Sequence, residues 1–354
     1  MTIDPNDLRA AVSRGLITEE QAASMAALAE TRRSAQAATS PVEEPFMLFK
    51  GFNEIFIVVG LTILFGGWAA LTAVIGWNFD GQAGAKTVLL ALITLAALAV
   101  LSNYFTLKRR MIAPSIALSV MSALTAGTLG WALATSFGVD SVLNSGALAW
   151  ATVGVVMLVH YRTFRVPFDA ALIACAAFTT LWSLLAASNL VPDEGMALLR
   201  FSGHGSLAWL SVAFGLATFA LAMRFDMSDP HRVSTRSTTG FWLHVVSAPL
   251  IVNTIALNLL DTGAAGSQLL LLAFLLIIAC VAIVIDRRSF LVSGAAYAVA
   301  LAFTLFDGSS LVIVFLGLGL VLLGAQWERL RSRLMRTLPD FPGKNNLPPY
   351  GAAQ

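Results

Sequence analysis

An all-α, polytopic transmembrane helix bundle of about ten spans is the fold class this chain predicts, preceded by a small cytoplasmic helical hairpin. Three observations point to it. Hydrophobic residues make up 57% of the 354 and charged residues only 12%, a balance typical of proteins with many membrane spans. Ten apolar runs approach the roughly 20 residues of helix that a hydrocarbon core about 30 Å thick requires. When those runs are read as spans, twenty of the 22 Lys and Arg residues fall on one side.

Residues 1–33 read as the hairpin. Asp4-Pro5 supplies an N-cap with Pro at the first helical position, and Gly15 supplies a stop. Thr18-Glu19-Glu20-Gln21 is a capping box, in which the Thr18 hydroxyl serves a free backbone N–H and Gln21 reaches back to the cap. The apolar face that follows (Ala22, Met25, Ala26, Leu28, Ala29) is thin, so the hairpin is expected to dock on the membrane domain or on a partner. No secretory signal opens the chain, whose first long apolar run begins near Ile55, and the N-terminus is expected to stay in the cytoplasm. Residues 34–53 form a linker of Ala, Ser, Pro and Glu. An aromatic stretch with Phe46, Phe49, Phe52 and Phe56 at helical spacing leads from it into the first span.

The membrane domain covers residues 54–327. Its spans are expected at 54–77, 86–106, 112–136, 143–162, 168–190, 201–224, 240–260, 267–285, 289–306 and 309–327. Orientation follows from the loops, because Lys and Arg accumulate on the cytoplasmic side. One set of loops holds Lys108, Arg109 and Arg110; Arg162 and Arg165; Arg224, Arg232 and Arg236; Arg287 and Arg288. The opposite side holds only Lys86 and Arg200, and its loops carry Asp80, Asp140, Asp193, Glu194, Asp261 and Asp307. An even number of crossings then puts both termini in the cytoplasm. Residues 328–354 form a basic tail whose Leu330, Leu334 and Leu338, set among Arg329, Arg331, Arg333 and Arg336, are expected to lie against the inner leaflet. Beyond Pro339 the tail reads as disordered.

Leu16-Ile17-Thr18-Glu19-Glu20-Gln21-Ala22, Phe241-Trp242-Leu243-His244 through Ala248-Pro249-Leu250-Ile251-Val252, Asp286-Arg287-Arg288-Ser289 and Trp327-Glu328-Arg329-Leu330 together resemble an uncharacterised family of bacterial polytopic inner-membrane proteins. That family begins with a short helical hairpin and continues into many spans. The resemblance implies a bacterial inner-membrane setting and no particular activity.

The seventh span carries the most polar face. His244, Ser247, Thr254 and Asn258 fall at steps of three, seven and four, on one side of a helix, with Asn253 beside them. Pro249 cannot donate to the carbonyl of Val245. Polar groups inside a bilayer must face other helices or a hydrated cavity, so this face is either a helix-packing surface or a polar path for a solute or proton. His204, between Gly203 and Gly205, is a weaker candidate, as a pH sensor or metal ligand without a partner at metal spacing. His160 and His231 read as ordinary loop or interfacial residues. Ser115, Ser119, Ala123 and Gly127 form a small-residue packing ridge, and Gly317, Gly319 and Gly324 are expected to serve the same purpose.

Much is excluded or unsupported. The net charge of +2 comes from short loops and offers no groove for nucleic acid. Cys175 and Cys280 read as small core side chains with no metal or redox spacing. No acid or base lies near the centre of a span; Glu54 and Asp169 sit at cytoplasmic ends, within reach of Lys50 and Arg165. No HExxH pair, no paired membrane aspartates and no Ser with a convincing base appear. No cofactor, metal or catalytic residue is therefore assigned. The partners expected are the lipid bilayer and a cytoplasmic protein reached through residues 1–33 or the 226–239 loop, itself read as solvated. Two functions remain: a non-enzymatic scaffold or accessory protein, and a transporter or channel for a small neutral or amphipathic solute along the seventh span. Ten spans would suit two inverted five-helix halves, a division that no internal repeat supports.

Overall fold

The structure is a computed structural model that describes residues 11–18, 21, 25, 52–76, 83–139, 141–190, 205–232, 234–262, 264–305 and 310–350. Among these residues every regular element is helical. The chain divides into two units, residues 1–46 and 47–354.

In the first unit the expected stop and start are both formed. Gly15 adopts φ +68°, and the Leu16 N–H donates to the Ala11 carbonyl at 3.0 Å, the reverse turn that closes a helix at glycine. The Thr18 N–H donates to Gln21 Oε1 at 3.0 Å and the Gln21 N–H to Thr18 Oγ1 at 3.2 Å, the reciprocal bonds of a capping box. The rest of the expected hairpin, the 34–45 linker and Phe46 and Phe49 lie outside the described residues.

The second unit contains α1 (Phe52–Gly76), α2 (Ala83–Ser102), α3 (Ile112–Ser136), α4 (Val142–Phe164), α5 (Asp169–Ala187), α6 (Ser206–Met227), α7 (Thr235–Asp261), α8 (Ala265–Ile285), α9 (Ser289–Leu305), α10 (Ser310–Ala325) and α11 (Trp327–Thr337). Each expected span coincides with one of α1 to α10, with ends shifted by a few residues. Eight helices, α1 to α8, are long and apolar enough to cross a membrane. The other two, α9 with 17 residues and α10 with 16, are apolar but shorter.

Side-chain choice explains several ends. Ser141 Oγ accepts the Asn144 N–H ahead of α4, supplying a donor-free cap. Arg165 after α4 and Asp286 after α8 take left-handed conformations, φ 55° and 58°, which satisfy the last carbonyls and turn the chain sharply. A π-helical turn, Asn103–Lys108, extends α2; it ends with Arg109 stacked over and hydrogen-bonded to Tyr104.

Two helices organise the packing. α3 contacts α1, α2, α4 and α5, whereas α7 contacts α5, α6, α8 and α9. Half of the most apolar stretch of each is buried, against 6% for α1. Such a gradient separates central helices from peripheral ones that are apolar all round. The α3 ridge packs as expected, since Ser115 and Ser119 are buried and a Cβ on Gly127 would touch Val153 at 3.6 Å. A closer approach, backbone against backbone, comes one turn further on: a Cβ on Gly130 would lie 2.6 Å from the Cα of Ala149 in α4. Gly215 of α6 is comparable, 2.8 Å from Ile251 of α7.

Four expectations are corrected here. Gly317, Gly319 and Gly324 meet nothing within 4 Å among the described residues, so they serve no contact with a described helix. Cys175 and Cys280 are both free and exposed on the outer faces of α5 and α8; their helix positions turn them away from the core. The tail is ordered where disorder was expected: residues 341–350 fold back, with a 3-10 turn at Lys344–Asn346 and Leu347 buried. A Cβ on Gly343 would meet Met227 at 2.8 Å, so this return seats on the end of α6. Finally, α11 buries Trp327, Arg331 and Met335 against the protein, and its expected leucine face is only partly covered. Arg331 donates to the carbonyls of Pro349 and Pro348 at 2.9 and 2.6 Å, and burial lowers its pKa from the ordinary guanidinium value.

Substituting Gly130 by Ala should destabilise the bundle by about 1–3 kcal/mol through overpacking against the α4 backbone, whereas Gly317→Ala should be neutral. Thermal unfolding of the two variants in the same detergent checks both outcomes.

Candidate functional site

The buried charge of the bundle gathers at the arginine-rich end of the helices, at the α2–α3, α4–α5, α6–α7 and α8–α9 connections and on α11. Its centre is Asp226, the penultimate residue of α6, which is 4% exposed. Arg287, fully buried in the α8–α9 turn, grips it with two bonds: Nη2 to Oδ1 at 2.5 Å and Nε to Oδ2 at 2.9 Å. His244 of α7 places Nε2 2.9 Å from the same Oδ2. The same Nη2 also donates to the Ser237 carbonyl at 3.0 Å, tying down the first turn of α7, while Nη1 is buried without a hydrogen-bond partner among the described residues.

Local structure puts these groups together. The left-handed Asp286 ends α8, and the Arg287 N–H closes onto the Ala282 carbonyl at 2.9 Å, so the arginine points under the bundle instead of outward. One turn before His244, Gly240 leaves the room that the Asp226 carboxylate occupies; a Cβ there would collide with Oδ1. Phe219 and Phe290 flank the imidazole with centroids at 5.4 and 5.8 Å, and Phe241 lies under the Arg287 guanidinium. Apolar walls of this kind strengthen the charge–charge attraction by excluding water.

A second knot adjoins the first. Asp286 receives Arg232 Nη2 at 3.0 Å and Trp327 Nε1 at 2.6 Å, while its backbone carbonyl accepts a further Arg232 bond at 2.8 Å. Arg288 stacks over Trp327 at 5.5 Å. These contacts fasten α8, the α6–α7 connection and α11 to one another.

The first half of the bundle has its own knot. His160 Nδ1 lies 2.6 Å from Asp169 Oδ2, and His160 Nε2 lies 3.3 Å from Ser102 Oγ. With Nδ1–H donated to the carboxylate, Nε2 accepts from the serine hydroxyl, the order found in acyl-transfer triads. Ser102 and Asp169 are both 0% exposed. A substrate carbonyl has no approach to a hydroxyl buried to that degree, and the trio acts as a clasp joining α2, α4 and α5. Glu54 of α1 accepts the Ala113 N–H at 3.0 Å and so caps the first turn of α3.

These findings revise the sequence reading at several points. His160 is a buried partner of Asp169, where an interfacial histidine was expected. Asp169 bonds to His160, where Arg165 was expected; Glu54 bonds to a helix N-terminus, and Lys50, its expected partner, lies outside the described residues. The 226–239 loop is not wholly solvated, because Asp226 belongs to α6, α7 begins at Thr235, and Arg232, Ser237 and Thr239 are buried. His231 is exposed, as expected.

The polar face of α7 is assembled as its spacing predicts. His244, Ser247 and Thr254 are buried, and Asn253 and Asn258 are half-buried. Two members bond back onto their own helix: Ser247 Oγ to the His244 carbonyl at 3.3 Å and Asn258 Nδ2 to the Thr254 carbonyl at 2.7 Å. Among the described residues, His244 Nδ1 and Thr254 Oγ1 are buried without a hydrogen-bond partner. His204 lies outside the described residues. Arg287 and Asp226 were missed as site residues because each reads as a loop charge; the signal that could have found them is Gly240, a glycine one turn ahead of a membrane histidine.

Elsewhere, a cavity of about 550 Å³ opens between α1, α2 and α3, lined in part by Trp68, Thr72, Thr94 and Thr125. Trp68 Nε1 donates to Thr94 Oγ1 at 2.7 Å across it. Among the described residues no group of three or more His, Cys, Asp or Glu is placed to hold a metal ion.

A bundle with eight helices of spanning length, apolar outer faces and its buried charges collected at one end is that of an integral membrane protein of the α-helical, polytopic class. No family model, no curated protein and no solved structure matches the chain.

Removing one partner of the buried Asp226–Arg287 pair strands the other charge, so Asp226→Ala and Arg287→Ala should each cost about 3–5 kcal/mol, whereas the paired change Asp226→Leu with Arg287→Met should recover much of that loss. Thermal unfolding of the three variants tests this, and additive losses would contradict it.

Proposed function

We propose that this chain is a non-enzymatic scaffold or accessory protein of the bacterial inner membrane, crossing ten times with both termini in the cytoplasm. The observation that supports it most directly is how the buried charges are used. Asp226, Arg287, Asp286, Arg232, His160 and Asp169 are each committed to holding helices together at one end. Such knots rigidify a platform and leave none of these six free for turnover. The clear division of loop charge supports the ten-span topology, and the resemblance described above supports the bacterial setting. A cytoplasmic partner would be met through residues 1–33 or the exposed part of the 226–239 loop.

Transport of a small neutral or amphipathic solute along α7 is a second reading, and one observation favours it. His244 Nδ1 and Thr254 Oγ1 are buried polar atoms without protein partners, and such atoms are usually satisfied by water or by a ligand.

Deleting residues 1–40 should remove a copurifying protein while leaving the membrane domain folded, as read by affinity capture and size-exclusion chromatography. The paired change His244→Leu with Asn258→Leu separates the two readings. Intact folding with unchanged solute flux in vesicles fits a scaffold; intact folding with abolished flux would replace it with transport.

A further inference from the structure

On the outer face of the joint between α6 and α7 lies a pocket of about 490 Å³, lined by Leu221, Arg224, Phe225, Ser228 and Arg236. The first four stand at steps of three, four and seven along α6, on a single helix face, and Arg236 comes from the first turn of α7. The pocket therefore has two ends of opposite character. Leu221 and Phe225 continue the apolar surface of the span, and Arg224, Arg236 and Ser228 close it at the arginine-rich end.

The two arginines differ from those around them. Arg232 and Arg287 are paired to aspartates and Arg288 stacks on Trp327, whereas neither Arg224 nor Arg236 makes an ion pair or side-chain hydrogen bond with another described residue. The acids nearby in sequence are already engaged. Asp226 is held by Arg287 and His244, and Asp229 Oδ2 accepts from the Ser234 N–H and hydroxyl at 2.8 and 2.7 Å. Two exposed guanidinium groups thus face one pocket without a counter-charge among the described residues.

We infer that this pocket binds an anionic phospholipid, its phosphate between Arg224 and Arg236 and its acyl chain along Phe225 and Leu221. Guanidinium forks match phosphate oxygens in geometry and charge, and basic pockets between helices at the cytoplasmic end of spans are suited to such headgroups. A zwitterionic lipid is disfavoured because its ammonium group would approach the same two cations. The inference rests on the chain lying in a membrane and is independent of whether it acts as scaffold or transporter.

The test titrates delipidated full-length protein in mild detergent with phosphatidylglycerol, with phosphatidylcholine of the same chains, and with inorganic phosphate. Retention is read by native mass spectrometry and stabilisation by thermal shift. Phosphatidylglycerol should bind and raise the unfolding temperature, and Arg224→Gln with Arg236→Gln should weaken it about tenfold or more. The same double change at Arg333 and Arg336 on α11 should have little effect. Ser228→Trp, which fills the pocket without altering charge, should also reduce binding and gives the answer if the arginine variant does not fold. Equal retention of phosphatidylcholine, full binding by the folded pocket variants, or inorganic phosphate competing as well as the lipid would each overturn the assignment.

Discussion

The Asp226–Arg287 contact sits where α6, α7 and the α8–α9 turn converge, and the architecture of this half of the bundle is arranged around it. Two charges removed from water cost several kcal/mol each unless their geometry compensates. Here the compensation can be followed atom by atom, with Arg287 Nη1 and His244 Nδ1 the buried atoms left without a partner among the described residues. Both carboxylate oxygens meet the guanidinium, one also meets His244, and a backbone carbonyl takes a further bond. Gly240 and the left-handed Asp286 are both conditions for that arrangement, one by leaving space and the other by reversing the chain.

The other half repeats the principle with different groups. His160, Asp169 and Ser102 join three helices through a chain of hydrogen bonds, and Glu54 binds a helix start. In lipid, apolar helices gain little from hydrophobic contact with one another. Polar knots and close glycine contacts such as Gly130 against Ala149 then supply much of the specificity that a water-driven core would give a soluble domain. Placing the knots at one end, beside the loops, also keeps the longest stretches of α1 and α8 free to face hydrocarbon.

This economy bears on function. The groups with the most recognisable chemistry, a histidine–aspartate pair and a serine–histidine–aspartate chain, are buried as fasteners. What faces outward is simpler: arginines at the α6–α7 joint without an ion pair among the described residues, exposed arginines on α11, and the apolar flanks of the spans. That distribution is the common ground of the proposed scaffold reading and the proposed lipid pocket.

Periodicity and charge were sufficient to read ten apolar helices, the Thr18–Gln21 capping box, the α3 ridge and the polar face of α7 directly from the sequence, because each depends on residues within a few turns of one another. The distant partners were not legible, since Arg287 lies 61 positions from Asp226, Trp327 41 from Asp286 and Ser102 58 from His160, and no local pattern encodes which loop folds beneath which helix. The same limit explains the misread glycines of α10, the outward cysteines and the ordered tail: spacing defines a face, but only the neighbouring helix decides whether that face is covered. The sequence by itself determined a helical chain of many apolar spans and the loops that carry its basic residues, through the cost of moving backbone and charge into hydrocarbon. The tertiary structure alone decided which loop charges turn inward as fasteners and which remain outside, because that choice depends on contacts between residues far apart in the chain.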